Sequence, residues 1–305
     1  DLNGDATVDR VYAGDLKGNL WAFDLSSKIP TEWKVANGSK KEPAPLFKAT
    51  DELDAAQPIT VKPEVVRNTL VSSGNSPNVM VFFGTGKYIL DQDKSSVAPQ
   101  TFYGVWDEGG KNLSRDDLAK QKILLETKRA AGRGRVTDPD LVIDYLGIKK
   151  KQYGWYLDLP TAGERVVTHP KVRAGTVYFS TLIPDPKDCG FGGMGWMMSV
   201  GLFNGGSPSA QSPAFDFNED GAITIAGDTV EFRKERYAYA GKMFEKGGEP
   251  TGPSIVATGG RHLRYTVGTE TDETEEIEAN LLEEGERLSG RISWQQLYPE
   301  VKIQN

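Results

Sequence analysis

The chain has 305 residues, enough for one large domain or two modest ones and for a sizeable buried core. Gly (34) and Pro (17) make up about one residue in six, so loops and turns are plentiful, while 10% aromatic content argues against disorder. No apolar run approaches the ~20 residues of a membrane-crossing helix, and a net charge of −7 argues against nucleic-acid binding.

The chain begins at Asp1, without Met, and reads as a piece of a longer or processed protein. Its first nine residues, Asp1-Leu2-Asn3-Gly4-Asp5-Ala6-Thr7-Val8-Asp9, form an oxygen-rich loop. Side-chain oxygens fall at positions 1, 3, 5 and 9, and the Thr7 carbonyl adds a neutral donor. Ca²⁺ takes roughly six to eight oxygens in a flexible shell. Three carboxylates and one amide suit its charge, and without Cys or His a thiophilic metal is disfavoured. The match to an EF-hand is partial. Tyr12 stands where the bidentate Glu belongs, Ala6 replaces the turn glycine, and the strand-like RVYAGD follows in place of a helix. The same residues also build Asx turns that serve only their own backbone.

Short β-branched and aromatic runs bounded by Gly, Asp and Pro then recur: VYAGDLKGNLWAFDL (11–25), VMVFFGTGKYILDQD (79–93), TFYGVWDEGG (101–110), YGWYLDLP (153–160), TVYFSTLIPD (176–185) and GWMMSVGLFNGG (195–206). Each is expected to form one or two short strands with a tight turn, as Leu16-Lys17-Gly18-Asn19 does in the first. The pattern predicts an all-β sandwich, barrel or propeller. At ~40–50 residues per blade, the length allows at most about six blades.

One stretch departs from this grammar. Ser114, with Asp117 three residues on, has the form of a helix N-cap. Leu118, Lys122 and Leu125 fall on one helical face, and Gly132 stands at a stop position. A short inserted helix is therefore expected over 115–131. The basic residues that come next (Arg133, Arg135, Lys149, Lys150, Lys151) are expected to be solvated surface. His169 and His262 lack a partner motif and are expected to be structural. Cys189 stands alone, as a packed thiol or the partner of a cysteine elsewhere in a longer protein.

A second oxygen-rich loop starts at Asp216, with Asn218 and Asp220 at positions 3 and 5, Gly221 at the sharp turn, the Ala222 carbonyl at position 7, and Asp228 as the closing carboxylate. A β-turn using the same residues is the alternative. Finally, residues 269–287 hold nine acids and one arginine, and so carry the whole net charge. This stretch is expected to be a solvated hairpin or helix, with IEANLLEEGERL as its helical candidate.

These motifs together resemble the PilY/PilC-type tip adhesins of type IV pili. The resemblance rests on the first loop running into VYAGDLKGNLWAFDL, then FFGTGKYI (82–89), QTFYGVWD (100–107), CGFGGMGWMM (189–198), FDFNEDGAI (215–223) and GRISWQQL (290–297), in the family's order. Residues 111–150 and the acidic stretch diverge. The resemblance implies a modified, quinoprotein-like β-propeller, of which this chain is a C-terminal part lacking the earlier blades. It implies Ca²⁺ on Asp1, Asn3, Asp5, Asp9 and the Thr7 carbonyl. It further implies pilus assembly, Ca²⁺-controlled extension and retraction in twitching motility, and adhesion. The expected partners are pilin subunits, host or abiotic surfaces and the N-terminal part of the same protein. The expected location is the pilus tip or outer membrane of a Gram-negative bacterium. A non-enzymatic role is expected. The alternatives are a quinoprotein-like dehydrogenase and a purely structural Ca²⁺-stapled secreted module.

Overall fold

The computed structural model describes residues 1–71, 77–129, 132–185, 193–244, 252–258, 261–266 and 278–282; for the last three segments this is mainly the backbone path. Cys189, the remainder of the acidic stretch and the side chain of His262 lie outside the described residues.

Nearly all regular structure is β, as the short apolar runs predict. A four-stranded sheet holds Arg10–Gly14, Asn19–Asp24, Lys34–Val35 and Phe47–Lys48. Asp15 fixes its first hairpin. The Asp15 carboxylate accepts the amides of Lys17 and Asn19, the Asn19 side chain and the Trp21 indole N–H, all within 2.8–2.9 Å.

The next sheet has five strands in the order Ala119–Gln121, Gly154–Asp158, Thr101–Asp107, Val79–Gly84 and Glu64–Arg67. Its two central strands, VMVFFG and TFYGVWD, are buried at every position, which explains their continuous apolar runs. Gly154 lies at φ 122°, and a Cβ there would sit 1.9 Å from the Gly104 carbonyl of the neighbouring strand. Only glycine permits that approach.

A six-stranded antiparallel sheet comes third, in the order Ile123–Arg129, Gly132–Thr137, Gly241–Phe244, Gly195–Gly201, Thr176–Ser180 and Lys171–Arg173. Aromatic contacts join the three sheets in chain order. Phe47 of the first lies 5.0 Å from Tyr103 of the second, and Phe102 of the second stacks on Phe179 of the third at 3.8 Å. Successive sheets packed face to face around a shared apolar core form the architecture of a partial β-propeller.

The expected helix over 115–131 is not formed. Ser114 and Asp117 do make the reciprocal capping contacts, but around a single 3-10 turn, Arg115–Asp117. The chain then becomes extended, with Ala119 and Gln121 buried and Lys120 exposed between them. That period-two burial outweighs the Leu118–Lys122–Leu125 spacing, which had counted a lysine on the apolar face. The segment supplies one strand to the five-stranded sheet, Ala119–Gln121, and one to the six-stranded sheet, Ile123–Arg129.

The expectation of a solvated basic cluster also fails at Arg135, which is completely buried. Its guanidinium donates to both Glu164 oxygens (2.6 and 2.8 Å) and to Glu126 Oε1 (2.7 Å), and lies 3.9 Å over the Trp196 ring. Arg133 and Arg135 share one face of the strand Gly132–Thr137; Arg133 stands near the strand's start and is half-buried, whereas Arg135 lies where that face is covered, and two carboxylates neutralise it there. Within the acidic stretch, Glu278–Leu282 is a strand paired with Arg261–Thr266, not part of a helix. The ladder with a neighbouring strand outweighs local helical propensity.

Candidate metal-binding loops

The two aspartate loops share three winding contacts, from the amides of positions 6, 5 and 7 to the side chains of positions 1, 3 and 5. In the first, Asp1 accepts the amides of Gly4 (2.6 Å) and Ala6 (3.0 Å), Asn3 Oδ1 accepts the Asp5 amide (2.8 Å), and Asp5 Oδ1 accepts the Thr7 amide (2.9 Å). In the second, Asp216 accepts the Gly221 amide (2.8 Å), Asn218 Oδ1 that of Asp220 (3.3 Å), and Asp220 Oδ1 that of Ala222 (2.9 Å). These are overlapping Asx turns, and they hold the side chains at positions 1, 3 and 5 on one winding of the chain.

The closing carboxylates correspond as well. Asp9 is 3% exposed and accepts the amides of Leu2 (2.6 Å) and Asn3 (3.3 Å). Asp228 is 1% exposed and accepts those of Phe217 (2.6 Å) and Asn218 (3.3 Å). Each thus ties down positions 2 and 3 of its loop, and each stands one residue before a strand, Arg10–Gly14 or Thr229–Phe232. The different sequence spacing is absorbed by a turn at 224–227, where Asp228 Oδ2 accepts the Thr224 amide (2.6 Å).

The backbone explains the glycine placement. Positions 4 and 6 are left-handed in both loops: Gly4 at φ 84° and Ala6 at 67°, Glu219 at 61° and Gly221 at 83°. Each loop has glycine at one of these positions and an L-residue, with its steric cost, at the other.

Among the described residues, no three carboxylate, imidazole or thiol groups converge as a finished metal cage. The donors suit a hard cation nonetheless, because both loops present only oxygen. Asp216 Oδ1 is shielded from solvent and has no hydrogen-bond partner, a deficit that a cation at position 1 would satisfy. The Thr7 hydroxyl and amide hold the Asp5 carboxyl below its ordinary range, keeping it ionised. The loops differ in one neighbour: Lys242 Nζ lies 2.8 Å from Glu219 Oε1 and 3.4 Å from the Asp216 carbonyl. That ammonium opposes a cation in the second loop only.

The carboxylate partners of two arginines are not legible in the sequence. Arg10 follows Asp9 directly and donates to the buried Asp107. Arg135 and Glu164 have no local sequence signature, since their partnership spans two segments. His169 is structural as expected, its Nδ1 accepting the Lys62 amide at 2.9 Å.

Residues 1–128 match the family model described as the PilY1 beta-propeller domain. The chain is 31% identical over 324 residues to a type IV pilus biogenesis factor PilY1 homolog of Xylella fastidiosa Temecula1, covering 97% of this chain and 20% of that protein. It is 28% identical over 276 residues to type IV pilus biogenesis factor PilY1 of Pseudomonas aeruginosa PAO1, covering 79% of this chain and 23% of that protein. The crystal structure of the Pseudomonas aeruginosa PilY1 C-terminal domain superposes with a TM-score of 0.74 at 25% identity, covering 94% of this chain and 59% of that one. The chain spans about a fifth of the length of these curated relatives. The fold is therefore a β-propeller region carrying two acidic, strand-preceding loops. The chain belongs to the PilY1 β-propeller family.

Proposed function

We propose that the chain is a Ca²⁺-binding region of a type IV pilus biogenesis factor and that both aspartate loops are its metal sites. The observation that carries this proposal is the shared winding of the two loops in a chain of the PilY1 family. Bound Ca²⁺ would supply the positive charge that offsets the carboxylates of each loop. Asp1, Asn3, Asp5, Asp9 and the Thr7 carbonyl would hold it in the first loop; Asp216, Asn218, Asp220, Asp228 and the Ala222 carbonyl would do so in the second. Asp9 and Asp228 keep the loop amides engaged and fix the start of the following strand. Binding is expected to be tighter at the first loop, which has no Lys242 beside it.

In this proposal, occupancy orders the loop and biases a surface of the pilus apparatus between two states. Pilus extension and retraction, twitching motility, adhesion to host or abiotic surfaces and contact with pilin subunits at the cell surface are its expected consequences. The role is non-enzymatic. Calorimetric Ca²⁺ titration of the wild type, Asp9→Ala and Asp220→Ala tests the sites, with one binding event expected to disappear in each variant. Unchanged heats and stoichiometry in Asp9→Ala would overturn the first site. Pilus retraction measured in cells carrying Asp9→Ala separates regulation from mere stapling: normal retraction together with lost Ca²⁺ binding would rule out regulation.

A further inference from the structure

Asparagine followed by glycine is prone to spontaneous deamidation, because glycine has no Cβ to shield its backbone nitrogen from the asparagine side chain. The chain has three such steps, Asn3-Gly4, Asn37-Gly38 and Asn204-Gly205. The structure separates them. Asn37 is 2% exposed, and its Nδ2 donates to the Lys111 carbonyl at 2.9 Å. Asn204 Nδ2 donates to the Pro139 carbonyl (3.0 Å), its Oδ1 accepts the Gly206 amide (3.0 Å), and the buried Gly205 donates its amide to the Gly201 carbonyl (2.8 Å). Lys111 and Pro139 lie 74 and 65 residues away along the chain, so freeing either asparagine means parting packed segments.

Asn3 and Gly4 are exposed. The hydrogen bonds that restrain them come from residues 1–9. The Gly4 amide donates to Asp1 Oδ1 at 2.6 Å, Asn3 Oδ1 accepts the Asp5 amide at 2.8 Å, and Asn3 Nδ2 donates to Asp9 Oδ1 at 3.4 Å. In the closed loop both reacting groups are therefore engaged. Opening the loop releases them together and breaks no strand pairing. Mutual repulsion of Asp1, Asp5 and Asp9 favours that opening, and a bound cation opposes it.

We propose that Asn3 is a deamidation site and that Ca²⁺ in the first loop controls it; the control rests on the Ca²⁺ reading of that loop. In the open loop the Gly4 nitrogen attacks Asn3 Cγ, the Cγ–Nδ2 bond breaks, and ammonia leaves with the Gly4 amide proton. Water then adds to one of the two carbonyls of the resulting succinimide and opens the ring to aspartate or isoaspartate, with no change of oxidation state. Isoaspartate routes the main chain through Cβ and Cγ. The extra backbone atom upsets the spacing that sets positions 1, 3 and 5 on one winding, and the first site is lost. Asp220-Gly221 of the second loop is not equivalent, because an ionised carboxylate is a far poorer acyl donor than an amide. The first loop is thus the one that ages.

Peptide mass mapping of the 305-residue protein, held in mildly alkaline buffer with excess Ca²⁺ or with a chelator, tests this. With chelator, conversion of amide to acid is expected at Asn3, while Asn37 and Asn204 stay intact. Free Ca²⁺ at about ten times the Kd of the loop should slow conversion about tenfold by depleting the open state. Asp9→Ala, which releases the Leu2 and Asn3 amides, should convert at least as fast as the chelated wild type in either buffer. Aged protein should lose the first calorimetric binding event in proportion to its isoaspartate content. An intact Asn3 under chelator, or equal conversion at Asn37 or Asn204, overturns the proposal. Equal or faster conversion with Ca²⁺ overturns the control by Ca²⁺. Titration of fresh protein then separates two cases: a first binding event that is present refutes this inference alone, and one that is absent refutes the Ca²⁺ reading of the loop.

Discussion

The Arg10 guanidinium lies 3.1 Å from Oδ2 of Asp107, and the Tyr12 hydroxyl donates to the same oxygen at 2.8 Å. Asp107 is 1% exposed and ends a central strand of the five-stranded sheet. Arg10 begins the strand immediately after the first aspartate loop, so one ion pair connects the loop to the core. Asp107→Ala leaves a largely shielded guanidinium without its anion and should cost about 3 kcal/mol, measured by chemical denaturation. A cost under about 1 kcal/mol would show that the pair behaves like an exposed one.

The left-handed positions of the loops predict opposite effects of two small substitutions. Ala6→Gly should relieve about 1 kcal/mol of backbone strain, and Gly221→Ala should introduce a similar amount. Ca²⁺ affinity is expected to rise by up to about fivefold in the first variant and to fall comparably in the second. Calorimetric titration reads both. A fall in affinity for Ala6→Gly would show that the Ala6 conformation is not limiting.

Asp93 gives the stability a defined acid limb. Its carboxylate accepts the Ile89 and Leu90 amides (3.0 and 2.9 Å) and pairs with Lys87 at 3.0 Å. The two amides foremost, then Lys87, lower its pKa from 3.8 to about 2. A folded pKa below the unfolded one gives stability that is present above the unfolded value and lost as pH falls through the folded one. The melting-temperature gap between wild type and Asp93→Asn should therefore be constant at neutral pH and narrow between about pH 4 and pH 2. A gap that does not change with pH would show that the charge is not what matters.

Arg135 and Glu164, both fully buried, should be strongly coupled. Glu164→Gln removes the anion from a buried cation and is expected to cost about 3–5 kcal/mol. Thr181, whose hydroxyl donates to Glu164 at 2.9 Å, belongs to the same network. A double-mutant cycle between Glu164→Gln and Arg135→Met should give a coupling energy above about 1 kcal/mol. Additive losses would mean that Glu126 alone compensates Arg135.

Much of the fold is legible in the sequence because its code is local. The runs VMVFFG and TFYGVWD carry β-branched and aromatic residues without interruption, and they form the buried central strands. The aspartate loops are legible for the same reason: their Asx turns reach only two to five residues along the chain. Residues 115–131 are misread because a capping box, Ser114 with Asp117, is as good a start for one 3-10 turn as for a helix. Beyond that turn, the two sheets on either side of the segment decide its conformation. Asp228 is legible as the closing carboxylate of the second loop despite its longer spacing; what the sequence does not show is how it closes the loop, by holding the second and third amides as Asp9 does. The partners of Arg10 and Arg135 are distant in sequence, and no local pattern announces them.

The segment from Ala119 to Thr137 leaves the five-stranded sheet after one strand and enters the six-stranded sheet with the next two. Neither sheet can therefore lose this segment without the other losing a strand as well. Local opening should thus be shared between them, and amide exchange at Gln121 should track exchange at Val136 in a single cooperative unit. In a propeller region without ring closure among its described sheets, such a seam binds two neighbouring blades through the covalent chain itself, where side-chain packing alone would let them breathe separately.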